Sequence, residues 1–213
     1  MRQAVDYHAL LRNDVKKLGN ILGEILVHQG GELLLEKVET IRKTTISLRE
    51  NYDENTYKQL KKEIGSLESP IRQQVIRAFS VYFHLINIAE QNQRIRRRQQ
   101  YHLGDDGVLQ AFSLESAVAS LKENHITKDV LQQVLDELSL ELVITAHPTE
   151  ATKRTVLEIQ KRISTILQQY DNPLLTKQKR KRLDESLYND VAALWQTDEL
   201  RYRKPTVLDE VKY

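Results

Sequence analysis

The sequence predicts a mainly α-helical fold carrying one short buried β-strand, and three observations support this. Apolar residues recur at spacings of three and four along most of the chain, the pattern of a helix with one buried face. Only seven Gly and four Pro occur in 213 residues, too few for the many tight turns of an all-β fold. One stretch departs from this pattern. The β-branched run Leu142-Val143-Ile144-Thr145 stops at Ala146-His147-Pro148-Thr149-Glu150, and helical spacing then resumes at once. A buried strand that ends in a polar turn and feeds a helix is how α/β enzymes present catalytic groups, at the carboxyl ends of their strands.

Leu11, Val15, Leu18, Leu22, Ile25 and Leu26 define the first helix face. Gly30-Gly31 should close that helix, because glycine readily adopts the left-handed conformation of a helix end. Leu34, Val38, Ile41 and Leu48 mark a second helix, ended by the polar loop Asn51-Tyr52-Asp53-Glu54-Asn55, and Leu60, Ile64 and Leu67 mark a third. Ser69-Pro70 offers an N-cap and a first-turn proline to a fourth, whose face reads Ile71, Val75, Phe79, Tyr82, Phe83, Ile86 and Ala89. From Gln99 to Gly107 the pattern lapses into a loop. Ser113 and Thr127 read as N-caps of two further helices, one carrying Val118 and Leu121, the other Leu131, Val134, Leu135 and Leu138. After the strand, Val156, Ile159, Ile163, Ile166 and Leu167 form a helix face, Asn172-Pro173 breaks it, and a last helix carries Leu183, Leu187, Val191 and Leu194. Residues 205–213 read as the opening of another element. A lone buried strand also cannot pair its own N–H and C=O groups, so the chain is expected to be cut from something longer.

Composition narrows the function classes. Apolar residues make up 40% and charged residues 29%, ordinary for a soluble helical protein. The net charge of +2 favours no polyanionic partner by itself. No cysteine is present, which excludes disulfides and thiolate metal sites and fits a reducing cytoplasm. No run approaches the ~20 apolar residues of a membrane span, and residues 1–6 lack the apolar stretch of a signal peptide.

His147 is the first candidate for chemistry. A neutral imidazole titrates near working pH, and a strand-end turn can hold it rigidly with one nitrogen free for substrate. The plainer alternative is a structural histidine hydrogen-bonded in its turn. Thr145, Thr149 and Glu150 could orient the ring, or Thr149 could simply cap the next helix. Lys153-Arg154 sits where a helix begins, and two cations there would strengthen a phosphate or carboxylate site; a solvated pair is the commoner case. Two dense basic runs, residues 94–98 and 177–182, could bind nucleic acid. Neither is interleaved with stacking aromatics, so a solvated helix face or an intersubunit salt-bridge surface is the better reading. Beside Trp195, Asp198 and Glu199 could bind a metal, but adjacent helical positions point in different directions, so a packing tryptophan with a surface salt bridge to Arg201 is the better reading. The six histidines show no HExxH spacing, and neither a glycine-rich phosphate loop nor a GxSxG elbow occurs. The chain alone holds no complete catalytic set.

Taken together, these segments resemble the amino-terminal part of phosphoenolpyruvate carboxylase of the bacterial type. The motif Thr145-Ala146-His147-Pro148-Thr149 matches that family's active-site histidine signature. Three further stretches agree in order: LGNILGEIL…QGG…VETIR at 18–42, YFHLINIAEQNQRIRR at 82–97, and LWQTDELR followed by KPTVLDEVKY at 194–213. One departure is visible, with Lys153 where the signature usually carries arginine; charge is kept, but the bidentate fork is lost. Arg154 still matches.

The resemblance implies an enzyme that joins phosphoenolpyruvate and bicarbonate, using Mg²⁺ or Mn²⁺, to give oxaloacetate and phosphate through carboxyphosphate and an enolate. His147 matches the histidine that takes the proton from carboxyphosphate. The resemblance further implies a helical amino-terminal region over 1–138. Residues 139–213 would then be the first strand-loop-helix segment of a (β/α)₈ barrel, incomplete in this chain, with the metal carboxylates beyond Tyr213. The full-length protein would be a cytoplasmic homo-oligomer, tetrameric in the family, with no nucleic-acid or membrane partner. The fragment alone is expected to bind no metal tightly and to be inactive. The alternatives are a helical nucleic-acid or scaffold-binding domain using the basic runs, or a stand-alone regulatory homologue that kept the signature.

Overall fold

The computed structural model describes residues 7–103, 109–143, 153–198 and 208. Among them lie eight helices: α1 (Tyr7–Gly30), α2 (Glu32–Glu50), α3 (Glu54–Ser66), α4 (Ser69–Leu103), α5 (Leu114–Glu123), α6 (Lys128–Glu137), α7 (Arg154–Tyr170) and α8 (Lys177–Gln196). No strand occurs among the described residues. The mainly α expectation therefore stands. Of the expected strand, Leu142 and Val143 lie outside regular structure and are exposed, Leu142 at 90%. An extended segment becomes a strand only when a neighbour pairs its backbone groups, and no described segment does so here. Residues 144–152, including His147, lie outside the described residues.

The described residues fall into two compact units. In the first, from Met1–Gln93 and Thr152–Arg203, α1 packs on α2 and α8, α2 on α3, and α7 on α8. Its core takes Leu18, Leu22, Ile25 and Leu26 from α1, with Leu34, Val38 and Ile41 from α2. From α7 come all five expected positions, Val156, Ile159, Ile163, Ile166 and Leu167, and from α8 Leu187, Val191, Leu194 and Trp195. The α1–α2 break is made by a glycine whose conformation demands it. Gly31 sits at φ 83°, ψ 168°, a region essentially closed to side chains, and its N–H donates to Val27 O (3.0 Å) as α1 ends. Asp53 caps α3, accepting from the Thr56 N–H at 2.7 Å and its hydroxyl at 2.6 Å, so that helix begins inside the expected loop.

Helix α4 keeps most of the expected face, with Val75 and Ala89 buried and Ile71, Phe79 and Tyr82 packed against the core, but it differs at Phe83 and in length. Its buried residues in this unit are Val75, Ala78, Val81, Leu85, Ile88 and Ala89, with Asn92 and Gln93 beyond them, while Phe83 is 60% exposed. The helix also continues to Leu103, through residues 99–103 read as loop, because Arg and Gln are good helix formers without any apolar periodicity.

In the second unit, from Arg94–Ala151 and Lys204–Tyr213, Ser113 and Thr127 cap α5 and α6 as expected, accepting from Ser116 N–H (3.1 Å) and Val130 N–H (3.4 Å). Neither helix buries a residue; Val118 on α5 and Val134, Leu135 and Leu138 beside or on α6 are exposed.

Candidate active site

The helix entered from the His147 segment is described from its first turn. The N-cap of α7 is Lys153, whose side chain makes no cap bond, so Thr149, four residues earlier, is not the capping residue. Lys153 instead extends its ammonium to the carbonyl oxygen of Asp198, just past the end of α8. There a second cation acts alongside it: the Arg77 Nη2 donates to Thr197 O at 2.7 Å, with its guanidinium 5.5 Å from the Trp195 ring centroid. A helix carboxyl end leaves carbonyls without intrahelical donors and carries partial negative charge, so both cations sit where the field favours them. Arg154 pairs with Glu158 at 2.9 Å on the exposed face of α7. The solvated pair given as the commoner case holds for Arg154, while Lys153 is bound to a carbonyl.

A second polar cluster ties α1 to the α7–α8 pair. The Lys17 ammonium reaches Asp184 Oδ1 at 2.5 Å, the Tyr170 hydroxyl donates to the same oxygen at 2.6 Å, and Lys17 lies 3.8 Å from the Tyr170 ring centroid. Burial pushes the Asp184 carboxyl upward, but the bonds from Lys17 and Tyr170 outweigh it and hold it below its ordinary value. Burial, joined by the bond to Asp184, drives the Tyr170 phenol well above its ordinary value. The His28 Nδ1 and Tyr188 hydroxyl, 2.9 Å apart, and the Arg162–Asp190 pair at 2.7 Å complete the ties. These groups brace helices. A groove of about 960 Å³ lies among α1, α2 and α4 and is lined by residues such as Leu11, Val15, Gly19 and Tyr82, remote in sequence from the histidine signature.

The two basic runs differ in exposure. Arg96 is buried while Arg94, Arg97 and Arg98 are exposed, so the first run is not one continuous surface. The second lies exposed on the opening turns of α8. Trp195 packs as expected, 6% exposed. Among the described residues no three His, Asp or Glu side chains converge as a metal site. No described helix is long and apolar enough to cross a membrane. Sequence reasoning missed the carbonyl clamp of Lys153 and Arg77, because a bond to a backbone oxygen leaves no mark on residue type.

The described fold defines a helical scaffold in which a histidine-bearing segment leads into a braced pair of helices. Comparison makes this specific: the family model described as phosphoenolpyruvate carboxylase matches residues 11–213, and the chain belongs to that family. A phosphoenolpyruvate carboxylase of Alcanivorax borkumensis is 37% identical over 208 residues, 97% of this chain and 23% of that protein. One of Acinetobacter baylyi is 36% identical over 213 residues, all of this chain and 23% of that protein. One of Bradyrhizobium diazoefficiens is 34% identical over 212 residues, covering 98% and 22%. The chain spans about a quarter of the length of these curated relatives. None of them favours the nucleic-acid-binding alternative.

Proposed function

We propose that this chain is the amino-terminal part of a phosphoenolpyruvate carboxylase, a cytoplasmic homo-oligomer that forms oxaloacetate and phosphate from phosphoenolpyruvate and bicarbonate. The observation that carries the reading is the family match over residues 11–213, with the histidine signature inside it. On this reading residues 139–213 open the (β/α)₈ barrel, and the strand at 142–145 forms once its barrel neighbours pair with it.

The role of His147 follows from its chemistry. Phosphoryl transfer to bicarbonate leaves carboxyphosphate beside an enolate. A neutral imidazole accepts the carboxyphosphate proton without adding charge beforehand, and CO₂ is released next to the enolate carbon that attacks it. The described residues do not provide a metal-binding set. The Mg²⁺ or Mn²⁺ of the family would be held by carboxylates beyond residue 213, and nothing in the role given to His147 is routed through it.

The test is the full-length protein with His147→Asn. Oxaloacetate formation should vanish while the circular dichroism spectrum is kept, and bicarbonate-dependent phosphate release should persist because that step comes first. A variant with full oxaloacetate output would overturn the assignment. The 213-residue chain alone should form none.

A further inference from the structure

We propose that α5 and α6 are a docking surface for the polypeptide that follows residue 213 in the full-length protein, an inference that rests on reading this chain as an amino-terminal part. Both helices are delimited by local chemistry. Ser113 caps α5 and Thr127 caps α6. Between them α5 closes in a Schellman turn, with His125 in the left-handed region at φ 55°. The His125 N–H donates to Lys122 O at 3.1 Å and the Ile126 N–H to Leu121 O at 3.0 Å. The apolar faces of the two helices are left open. Leu114 and Val118 on α5, Val130, Val134 and Leu135 on α6, and Leu138 at its C-cap are each between 41% and 79% exposed. Each helix is ten residues long, and helices shorter than about 12–15 residues are marginal in water unless an apolar face is packed. Large apolar side chains recurring at helical spacing along 114–138 mark an interaction surface rather than scattered surface residues. Two observations name the occupant. Residues 114–138 carry five carboxylates against two lysines, so a second copy of this surface would set like charges opposite one another. The family match runs through both helices to residue 213, and the chain covers 23% of its relatives, so on this reading most of the polypeptide follows residue 213. The segment that fits presents apolar side chains flanked by lysine or arginine.

The experiment compares amide hydrogen exchange in the full-length protein and in the 213-residue chain, each over a range of concentrations. Amides of α5 and α6 should exchange about 100-fold or more slowly in the full-length protein than in the chain, at every concentration. In the full-length protein, Val134→Asp should return them to the rate of the chain, and the milder Leu135→Ala part of the way, while α7 and α8 keep their protection. Should Val134→Asp also unfold α7 and α8, Leu135→Ala decides. Equal exchange in the two wild-type proteins overturns the inference, as does wild-type protection in the variants. Protection that grows with the concentration of the 213-residue chain assigns the surface to a second copy and overturns it too. Oxaloacetate formation by the same full-length sample reports the functional reading separately. An active protein with unprotected helices overturns the docking surface alone; an inert protein with protected helices overturns the functional reading alone.

Discussion

Replacing Leu187 by alanine should destabilise the first unit by about 3 kcal/mol. Leu187 is 0% exposed on α8, in the same core as Ile163 and Leu167 of α7, also fully buried. Truncation removes the hydrophobic transfer energy of the lost carbons and leaves a cavity that a rigid helix pair fills poorly, and such changes cost about 2–5 kcal/mol. With a urea m-value of about 2 kcal/mol/M, the midpoint should fall by about 1.5 M. The assay is the fluorescence of Trp195, the single tryptophan of the chain, buried in the same core and therefore a reporter of that unit alone. Leu174→Ala provides the control: this leucine is 85% exposed in the turn between α7 and α8 and should move the midpoint by less than about 0.3 M. A Leu187→Ala midpoint within that margin would refute the packing argument.

Two further perturbations test the braces and the break. Gly31→Ala should cost about 1–3 kcal/mol although a Cβ there meets nothing within 4 Å, because the penalty lies in the backbone at φ 83°; a wild-type melting temperature would sink this. Asp184→Asn tests the Lys17–Asp184–Tyr170 cluster through pH. The carboxyl is held below its ordinary value, so its contribution is present above the unfolded value near 3.9 and is lost as pH falls through the lowered folded value. The stability gap between wild type and variant, about 1 kcal/mol for a pair this solvent-exposed, should be flat from pH 7 to about 5 and close in stronger acid. A gap that widens on acidification would contradict the sign.

The parts of the fold legible in the sequence are those in which local chemistry and packing agree. Five β-branched and leucine positions of α7 repeat at helical spacing and are all buried. Ser113 and Thr127 sit where a hydroxyl satisfies an otherwise unpaired N–H, and they do so. Along α4 bulk misleads as a sign of burial: Phe83 points outward, while Ala78, too small to draw notice, faces the core. Leu131, Val134 and Leu135 did predict a helix, but periodicity states which face is apolar and not what covers it. The histidine signature was legible as a motif, since a specific run of residue types needs no partner to be read. The strand before it was another matter. Strand pairing depends on residues distant in the chain, and Leu142 and Val143 have no described neighbour to bond.

The uneven distribution of burial has a calorimetric consequence. Unfolding raises heat capacity chiefly by wetting apolar surface, normally about 12–15 cal/mol/K per residue. Helices α5 and α6 bury no residue, so their apolar side chains are already wetted and melting them adds little. The heat-capacity increment of this chain should therefore be that of a shorter protein. Its free energy should vary only gently with temperature, with a broad, shallow maximum and cold denaturation displaced to lower temperature than the chain length alone suggests.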